Sequence, residues 1–306
     1  MTGGAPTRYA ARMRATIVYH TARQEPRLDW VIDDLARQAI PSDELELVVV
    51  DALGRAAQEI GFHEIPAIVS LVETTPKPTP WQGPQRVTSR DWWAISNARN
   101  TGAVLCGTDY LAFLDDRCHL GPGWLAAVRR GEWERRSVVA GSYTKEEDGG
   151  RVSVDHRLQA FPDGRQDCGG GWLYGCTFAL PLAWYLDVNG HEEGCDGLSG
   201  EDYILGLMLA NRGHRIDFRP ELFTLQDRSS RTIHGYARRD KGVSPRDKSH
   251  AAIDRFGRRT RTEFTPDLRA LRGRIDRGEG FPDVDHAIEH LDWYDGQPLR
   301  EIEMPA

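Results

Sequence analysis

Short apolar runs alternate with amphipathic stretches along the first three quarters of the chain. A run that is apolar at nearly every position predicts a strand buried on both faces, as in the centre of a parallel sheet. An apolar residue at every third or fourth position predicts a helix. Strands are predicted at 15–20, 45–51, 67–73, 110–114, 137–143, 175–181, 214–220 and 222–227, and helices at 27–38, 91–105, 123–133, 182–188, 201–213 and within 246–277. This alternation predicts an α/β fold with a mainly parallel central sheet and an α-helical C-terminal extension.

Two segments interrupt the pattern. Residues 74–90 contain four prolines and predict a surface loop, because proline can neither continue a helix nor pair inside a sheet. Residues 144–170 are polar and predict irregular structure. The periodicity weakens after residue 227, so we divide the chain into an α/β domain at 1–227 and a basic helical extension with an acidic tail at 228–306.

The composition is that of a soluble globular protein, with 40% apolar and 28% charged residues among 306. No window approaches the roughly 18 consecutive apolar residues that a transmembrane helix needs. The first fifteen residues lack the apolar centre of a signal peptide, and the five cysteines form no CxxC pair. We therefore expect a cytoplasmic protein with free thiols.

Charge is distributed unevenly along the chain. The net charge is −7, yet residues 228–277 hold 15 lysines and arginines against 6 acidic residues. After residue 278 the tail holds one arginine and eight acidic residues. A basic segment followed by an acidic tail indicates either an anionic partner or pairing between the two.

Two carboxylates follow an apolar strand in LAFLDDR, where Asp115 and Asp116 precede Arg117. Ligands bind at the carboxyl ends of strands in open α/β sheets. Carboxylate oxygens there can hold Mg²⁺ or Mn²⁺, which would stabilise a leaving diphosphate. The alternative is that both aspartates only cap a turn. No GxGxxG follows the first strand, which argues against a dinucleotide-dependent dehydrogenase.

Seven segments occur in an order that resembles the family 2 glycosyltransferases of the GT-A fold, over roughly residues 14–227. They are ATIVYHTAR, LVVVDAL, SNARNTG, YLAFLDDR, GPGWL, GGGWLYGCTFALP and GEDYILGLMLANRGHRI. The resemblance implies a Rossmann-like nucleotide-sugar transferase that moves a hexose, with a UDP-sugar as the expected donor, and inverts the anomeric centre.

The resemblance also implies which residues bind the donor. They are Thr21, Arg23, Asp51, Arg99, Asn100, Asp115 and Arg117. Taken alone, Asp51 could be an ordinary strand-ending aspartate, and Arg99 could lie on a solvated helix face.

A divalent cation, Mn²⁺ or Mg²⁺, would be held by Asp115, Asp116 and His234. The family motif is Asp-x-Asp, and this sequence has Arg117 at its last position. Three outcomes stay open: Asp116 or His119 supplies the missing ligand, Arg117 replaces the metal beside the diphosphate, or the site is inactive.

The segment SGEDY resembles the family's Glu-Asp motif, in which Asp202 would be the general base beside Glu201. Ser199 and Asp202 also match a capping box at a helix start, and the two readings are compatible. Gly171 and Trp172 match the acceptor-lining region of the family; core packing is the alternative for Trp172.

The expected partners are a nucleotide sugar and an acceptor. The acceptor is either a glycan or a hydroxymethylated DNA base bound through the basic segment 228–277. Arg117 motivates a second hypothesis, a non-catalytic protein that binds carbohydrate or nucleic acid on a transferase fold.

Overall fold

Nine strands join one sheet in the computed structural model, which describes residues 13–23, 25–79, 95–147, 150–193, 200–227 and 265–282. The strands are β1 (Arg14–Thr21), β2 (Glu44–Asp51), β3 (Ile68–Thr74), β4 (Tyr110–Leu114), β5 (Cys118–Leu120), β6 (Val138–Glu147), β7 (Arg151–Val154), β8 (Thr177–Pro181) and β9 (Ile216–Asp227). The helices are α1 (Leu28–Gln38), α2 (Ile95–Leu105), α3 (Trp124–Glu134), α4 (Arg157–Ala160), α5 (Leu182–Asp187), α6 (Glu201–Asn211) and α7 (Leu268–Asp276).

The strand order across the sheet is β3-β2-β1-β4-β8-β6-β9-β5, with β7 paired to β6. Strands β1 to β4 are parallel, β8 is antiparallel to β4 and β6, and β9 is parallel to β6. Six of the nine described strands therefore point the same way. Their carboxyl ends lie along one edge of the sheet, which we call the carboxyl edge.

Helices cover both faces of the sheet. In β4, Ala112 and Leu114 pack into an apolar cluster with α1 and α3, whereas Leu111 and Phe113 pack into a second cluster with α2, α5, α6 and α7. This alternation follows from the two-residue period of a strand. Helix α1 buries one stripe, which includes Val31 and Leu35, as its amphipathic sequence predicts.

The predicted α/β architecture is confirmed, with three local corrections. The segment 144–170 is not irregular throughout: β6 continues to Glu147 and pairs with β7 as an antiparallel hairpin, and α4 follows. The two strands predicted at 214–220 and 222–227 are one continuous strand, β9. Strand β5 was not predicted, because three residues carry too little pattern to indicate a strand without their partner β9.

Helix α7, from the predicted extension 228–306, packs against α2, and its Leu268 and Leu271 belong to the second apolar cluster. The Asn189 side chain accepts a hydrogen bond from the Leu268 backbone N–H at 2.8 Å. Among the described arginines of the basic segment, Arg274 and Arg277 pair with Glu279 of the acidic tail. This pairing joins the basic and acidic segments locally. None of the described helices combines the length and apolarity required to cross a bilayer.

Candidate active site

The carboxyl edge brings together side chains from β1, β4, β9 and two helices. Asp116, just after β4, accepts hydrogen bonds from Thr21 Oγ1 and Arg23 Nε, each at 2.8 Å. Thr21 ends β1 and pairs in register with Asp51 at the end of β2. The Asp116 carboxylate therefore joins the loop after β4 to the loop after β1, and each of its oxygens accepts one hydrogen bond.

Arg99 on α2 connects Asp115 to the amino end of α6. Its Nη2 donates to Asp115 Oδ1 at 3.1 Å and to the Gly175 carbonyl oxygen at 2.7 Å, while Nη1 lies 3.3 Å from Glu201 Oε1. The Arg99 side chain is 1% exposed, and its Nε has no hydrogen-bond partner among the described residues. Asp115 Oδ2 accepts a second hydrogen bond, from Gln226 Nε2 at 2.9 Å. One buried guanidinium thus balances two carboxylates.

The first turn of α6 presents Glu201 and Asp202. Gly200 precedes the helix at φ 93°, a left-handed conformation that favours glycine. Asp202 Oδ2 accepts a hydrogen bond from the Gly175 N–H at 2.6 Å, and Oδ1 accepts one from the Tyr203 N–H at 2.7 Å. The capping-box serine, Ser199, lies outside the described residues. Acidic side chains here are stabilised by the positive end of the helix dipole.

The Glu201 carboxyl group has an unusual proton affinity. Burial raises its pKa from 4.5 to about 7, and the adjacent Asp202 carboxylate adds to this rise, while the Arg99 guanidinium opposes it. Near neutral pH the Glu201–Asp202 pair therefore carries less than two negative charges. Such a pair can exchange a proton at physiological pH.

Asp51 caps the turn that follows its own strand. Its two oxygens accept hydrogen bonds from the Leu53 and Arg55 backbone N–H groups and from the Arg55 guanidinium, at 2.8 to 3.1 Å. Arg55 Nη2 also donates to the Arg23 carbonyl oxygen at 2.7 Å. The Asp51 side chain is buried, whereas Arg55 keeps 22% of its side chain exposed. Arg55, rather than Asp51, is the exposed charge at this end of β2.

Arg117 is held by other groups of the protein. It sits at φ 48°, and its guanidinium pairs with Asp227 and donates to the Glu25 carbonyl oxygen at 2.6 Å. The Trp30 ring lies 5.5 Å from the Arg117 Cζ. Arg117 therefore ties the end of β9 to the loop before α1, and the expectation that it binds the donor is not carried into the proposal below.

Asn100 is fully buried on the other face of α2. Its Nδ2 donates to the His191 carbonyl oxygen and to Glu193 Oε1, and its Oδ1 accepts from the Tyr185 hydroxyl and the His191 N–H. All four of its hydrogen-bonding positions are used inside the protein. The donor contact of Asn100 therefore stays a prediction, and the proposal below gives this residue no part in binding.

The predicted acceptor residues lie in a turn of 3₁₀ helix at Gly170–Trp172. A Cβ on Gly170 would come within 2.4 Å of the Gly206 carbonyl oxygen of α6, so this glycine permits close backbone packing. Gly171 faces the Tyr203 ring. Trp172 is half-buried, with its ring 5.6 Å from Phe161 and 5.5 Å from His156. Trp172 therefore combines core packing with surface exposure.

Of the candidate metal ligands, Asp115 and Asp116 lie in the described part of the chain. Each oxygen of Asp115 and Asp116 already accepts a hydrogen bond from a protein side chain, as described above. His234 lies outside the described residues. Across the described ranges, no three His, Cys, Asp or Glu side chains are arranged to hold a metal ion. The cation site predicted at these two carboxylates therefore stays a prediction, and no step below depends on it.

Sequence reasoning did not identify three residues of this edge: His20, Arg55 and Gln226. Burial, followed by the Arg99 charge, lowers the pKa of His20 to about 4, so this imidazole is neutral. Arg55 lies four residues after Asp51, and this spacing could have indicated an ion pair that caps a turn. Gln226 carries no local signal, because it reaches Asp115 only through the pairing of β5 with β9.

The topology and this edge define an α/β protein of the GT-A glycosyltransferase fold. Among solved structures, S. aureus TarS 1–349 matches with a TM-score of 0.51 and 16% identity, over 70% of this chain and 60% of that chain. S. aureus TarS itself matches with a TM-score of 0.51 and 15% identity, over 70% and 37%. TarS 1–349 in complex with UDP matches with a TM-score of 0.50 and 14% identity, over 70% and 60%. This chain spans less than two thirds of the length of each.

The comparison with sequences has a different result. No protein-family model and no curated protein matches this chain. At these levels of identity, the solved structures establish the fold alone.

Proposed function

We propose that the chain is a glycosyltransferase similar to family 2, which moves a hexose from a UDP-sugar to an acceptor hydroxyl with inversion. The observation that carries this proposal is the bridge formed by Arg99. It joins the carboxylate after β4 to the Glu-Asp pair of α6, two features of the family resemblance that lie about 85 residues apart in the sequence. A match to a structure that holds UDP supports the choice of donor.

The donor would bind across the carboxyl ends of β1 and β2. Thr21, Arg23 and Arg55 line this position, and the Arg23 and Arg55 side chains are 10% and 22% exposed. Two guanidinium groups can hydrogen-bond phosphate oxygens and offset the charge of the leaving UDP. We assign this charge to arginines because both of these guanidinium groups keep part of their surface exposed at this edge.

The transfer would be a single displacement. Asp202 takes the proton of the acceptor hydroxyl as its oxygen forms a bond to the anomeric carbon. The bond from that carbon to the phosphate oxygen breaks, and its electron pair leaves with UDP. Gly175 N–H holds the Asp202 carboxylate in place, and Glu201 buffers its charge. A positioned base typically contributes ~10²–10⁴-fold in rate.

The acceptor is a glycan in this proposal. A hydroxymethylated DNA base bound through residues 228–277 is the competing acceptor, and most of that segment lies outside the described residues. The described arginines Arg269 and Arg272 pair with Asp187 and Asp276, which gives no particular support to DNA.

A panel of UDP-, GDP- and dTDP-sugars tests the proposal. We expect the purified chain to release UDP from one UDP-sugar slowly without acceptor, and faster with a sugar acceptor present. UDP release is measured by a coupled assay and product stereochemistry by NMR. Nucleotide-sugar binding without any turnover would instead support a non-catalytic binding protein.

A further inference from the structure

A group of ring side chains lies beside the Asp202 carboxylate, on the side of β6. We call it the aromatic platform; its members are Tyr143, His156, Trp172 and Tyr174. The His156 ring lies 5.5 Å from Trp172 and 5.9 Å from Tyr174, and Tyr143 lies 6.4 Å from Tyr174. His156 is exposed, and the other three rings are half-buried. The group therefore presents ring surface to solvent.

A buried ion pair contacts two residues of the platform. Arg157 and Asp155 are both fully buried and pair at 2.6 Å. The Arg157 guanidinium lies 4.1 Å from the Tyr174 ring centre and donates to the Trp172 carbonyl oxygen at 2.6 Å. Because one buried cation contacts the Tyr174 ring and the Trp172 backbone, it fixes the positions of these two residues relative to each other.

The platform adjoins the proposed base. Tyr174 directly precedes Gly175, whose N–H donates to Asp202 at 2.6 Å. Burial raises the pKa of Tyr174; Arg157 opposes this, and Asp155 and Asp202 add to it. The Asp202 charge thus acts electrostatically on the Tyr174 hydroxyl. A ring of the acceptor resting on the platform would lie beside the base.

The charge around the platform favours a neutral ligand. Lys145 lies 4.1 Å above the Tyr143 ring, and the charge of Arg157, the cation beneath Tyr174, is paired with Asp155. A DNA backbone would need several cations along its path. Polar groups at the rim, the Tyr174 hydroxyl and His156 Nε2, lie 3.4 Å apart and can serve sugar hydroxyls. Aromatic faces carry partial negative charge and attract the polarised C–H groups of a pyranose ring.

We infer that the aromatic platform binds a sugar ring of a carbohydrate acceptor and selects the acceptor of this enzyme. The inference rests on the proposed function. Its test is independent of the test of the proposed function, because oligosaccharide binding can be measured without a donor or turnover.

The test compares Trp172→Ala and Tyr174→Ala with the matched control Trp133→Ala, which removes an exposed ring on α3. A panel of neutral oligosaccharides and a duplex containing hydroxymethylcytosine are titrated against each protein, followed by calorimetry. For the best oligosaccharide, we expect Kd to rise about tenfold in both platform variants. The control should keep the Kd of the unaltered protein.

Each result decides the inference. Loss of oligosaccharide binding only in the platform variants supports it, even if no nucleotide sugar is turned over. Equal affinity in all proteins overturns it, and so does salt-sensitive DNA binding that the platform variants weaken in place of sugar binding. If an alanine variant loses the native circular dichroism spectrum, Trp172→Leu and Tyr174→Leu replace it in the same titration.

Discussion

Arg99 and Asp115 form an ion pair 3.1 Å long, made by a guanidinium that is almost fully buried. The same guanidinium lies 3.3 Å from Glu201, so one cation serves two carboxylates from different parts of the chain. Removing one partner of a buried pair leaves an uncompensated charge, which is far more costly than losing a surface pair.

Replacing Arg99 with alanine should therefore lower the free energy of unfolding by about 3 kcal/mol. Urea unfolding at neutral pH measures this. The matched control is Arg14→Ala, which removes a 62%-exposed arginine paired with Glu44 and should cost less than about 0.5 kcal/mol. Similar small losses in both variants would contradict the assigned role of Arg99.

The pH dependence of stability should report on Glu201. Its pKa is raised from 4.5 to about 7 in the folded protein, so the folded state binds this proton more tightly than the unfolded state. The resulting stabilisation is fully present below pH 4.5 and is lost as pH rises through about 7. Glu201→Gln should lack this loss. Unfolding free energies of both proteins across this range test the expectation; parallel curves would contradict it.

Asp202→Asn should lower sugar transfer ~10²–10⁴-fold, because the amide cannot take the acceptor proton. The amide oxygen can still accept the Gly175 N–H bond, so the fold and UDP binding should persist. Initial rates measure transfer, and calorimetric titration with UDP measures binding. A variant that turns over at the rate of the unaltered protein would remove Asp202 as the base.

Asn100→Ala should destabilise the protein by about 2–3 kcal/mol, because it removes buried hydrogen bonds, among them those to the His191 carbonyl and the Tyr185 hydroxyl. Thermal and urea unfolding measure this effect. Asn211→Ala is the matched control, since that side chain bonds only its own exposed helix turn. A stable Asn100→Ala protein with weakened UDP binding would restore the donor role expected from the sequence.

Removal of divalent cations should leave the transfer rate unchanged within about twofold. The reason is that the proposed mechanism assigns the diphosphate charge to Arg23 and Arg55, whose side chains are 10% and 22% exposed. Initial rates with EDTA, and with added Mn²⁺, provide the measurement. Activity that EDTA abolishes and Mn²⁺ restores would assign the diphosphate charge to a metal.

The sequence by itself determined the α/β class and most element positions, because the periods of strands and helices are local. Residues placed at strand ends, such as Thr21 and Asp115, also followed from the sequence, since carboxyl ends of parallel strands meet at one edge. The sequence also placed Glu201 and Asp202 at the start of a helix, although it did not show which residues contact them.

Only the tertiary structure decided which partner each of these groups has. Arg117 pairs with a residue 110 positions away, and Asn100 with one 93 positions away. Strand β5 also depends on residues distant in the sequence, because its three residues form a strand only beside β9. Hydrogen bonds and charges are satisfied by neighbours in space, and no periodicity along the chain records them. For this reason the sequence placed the candidate residues at one edge of the sheet, whereas the fold decided which of these arginines and carboxylates pair with each other.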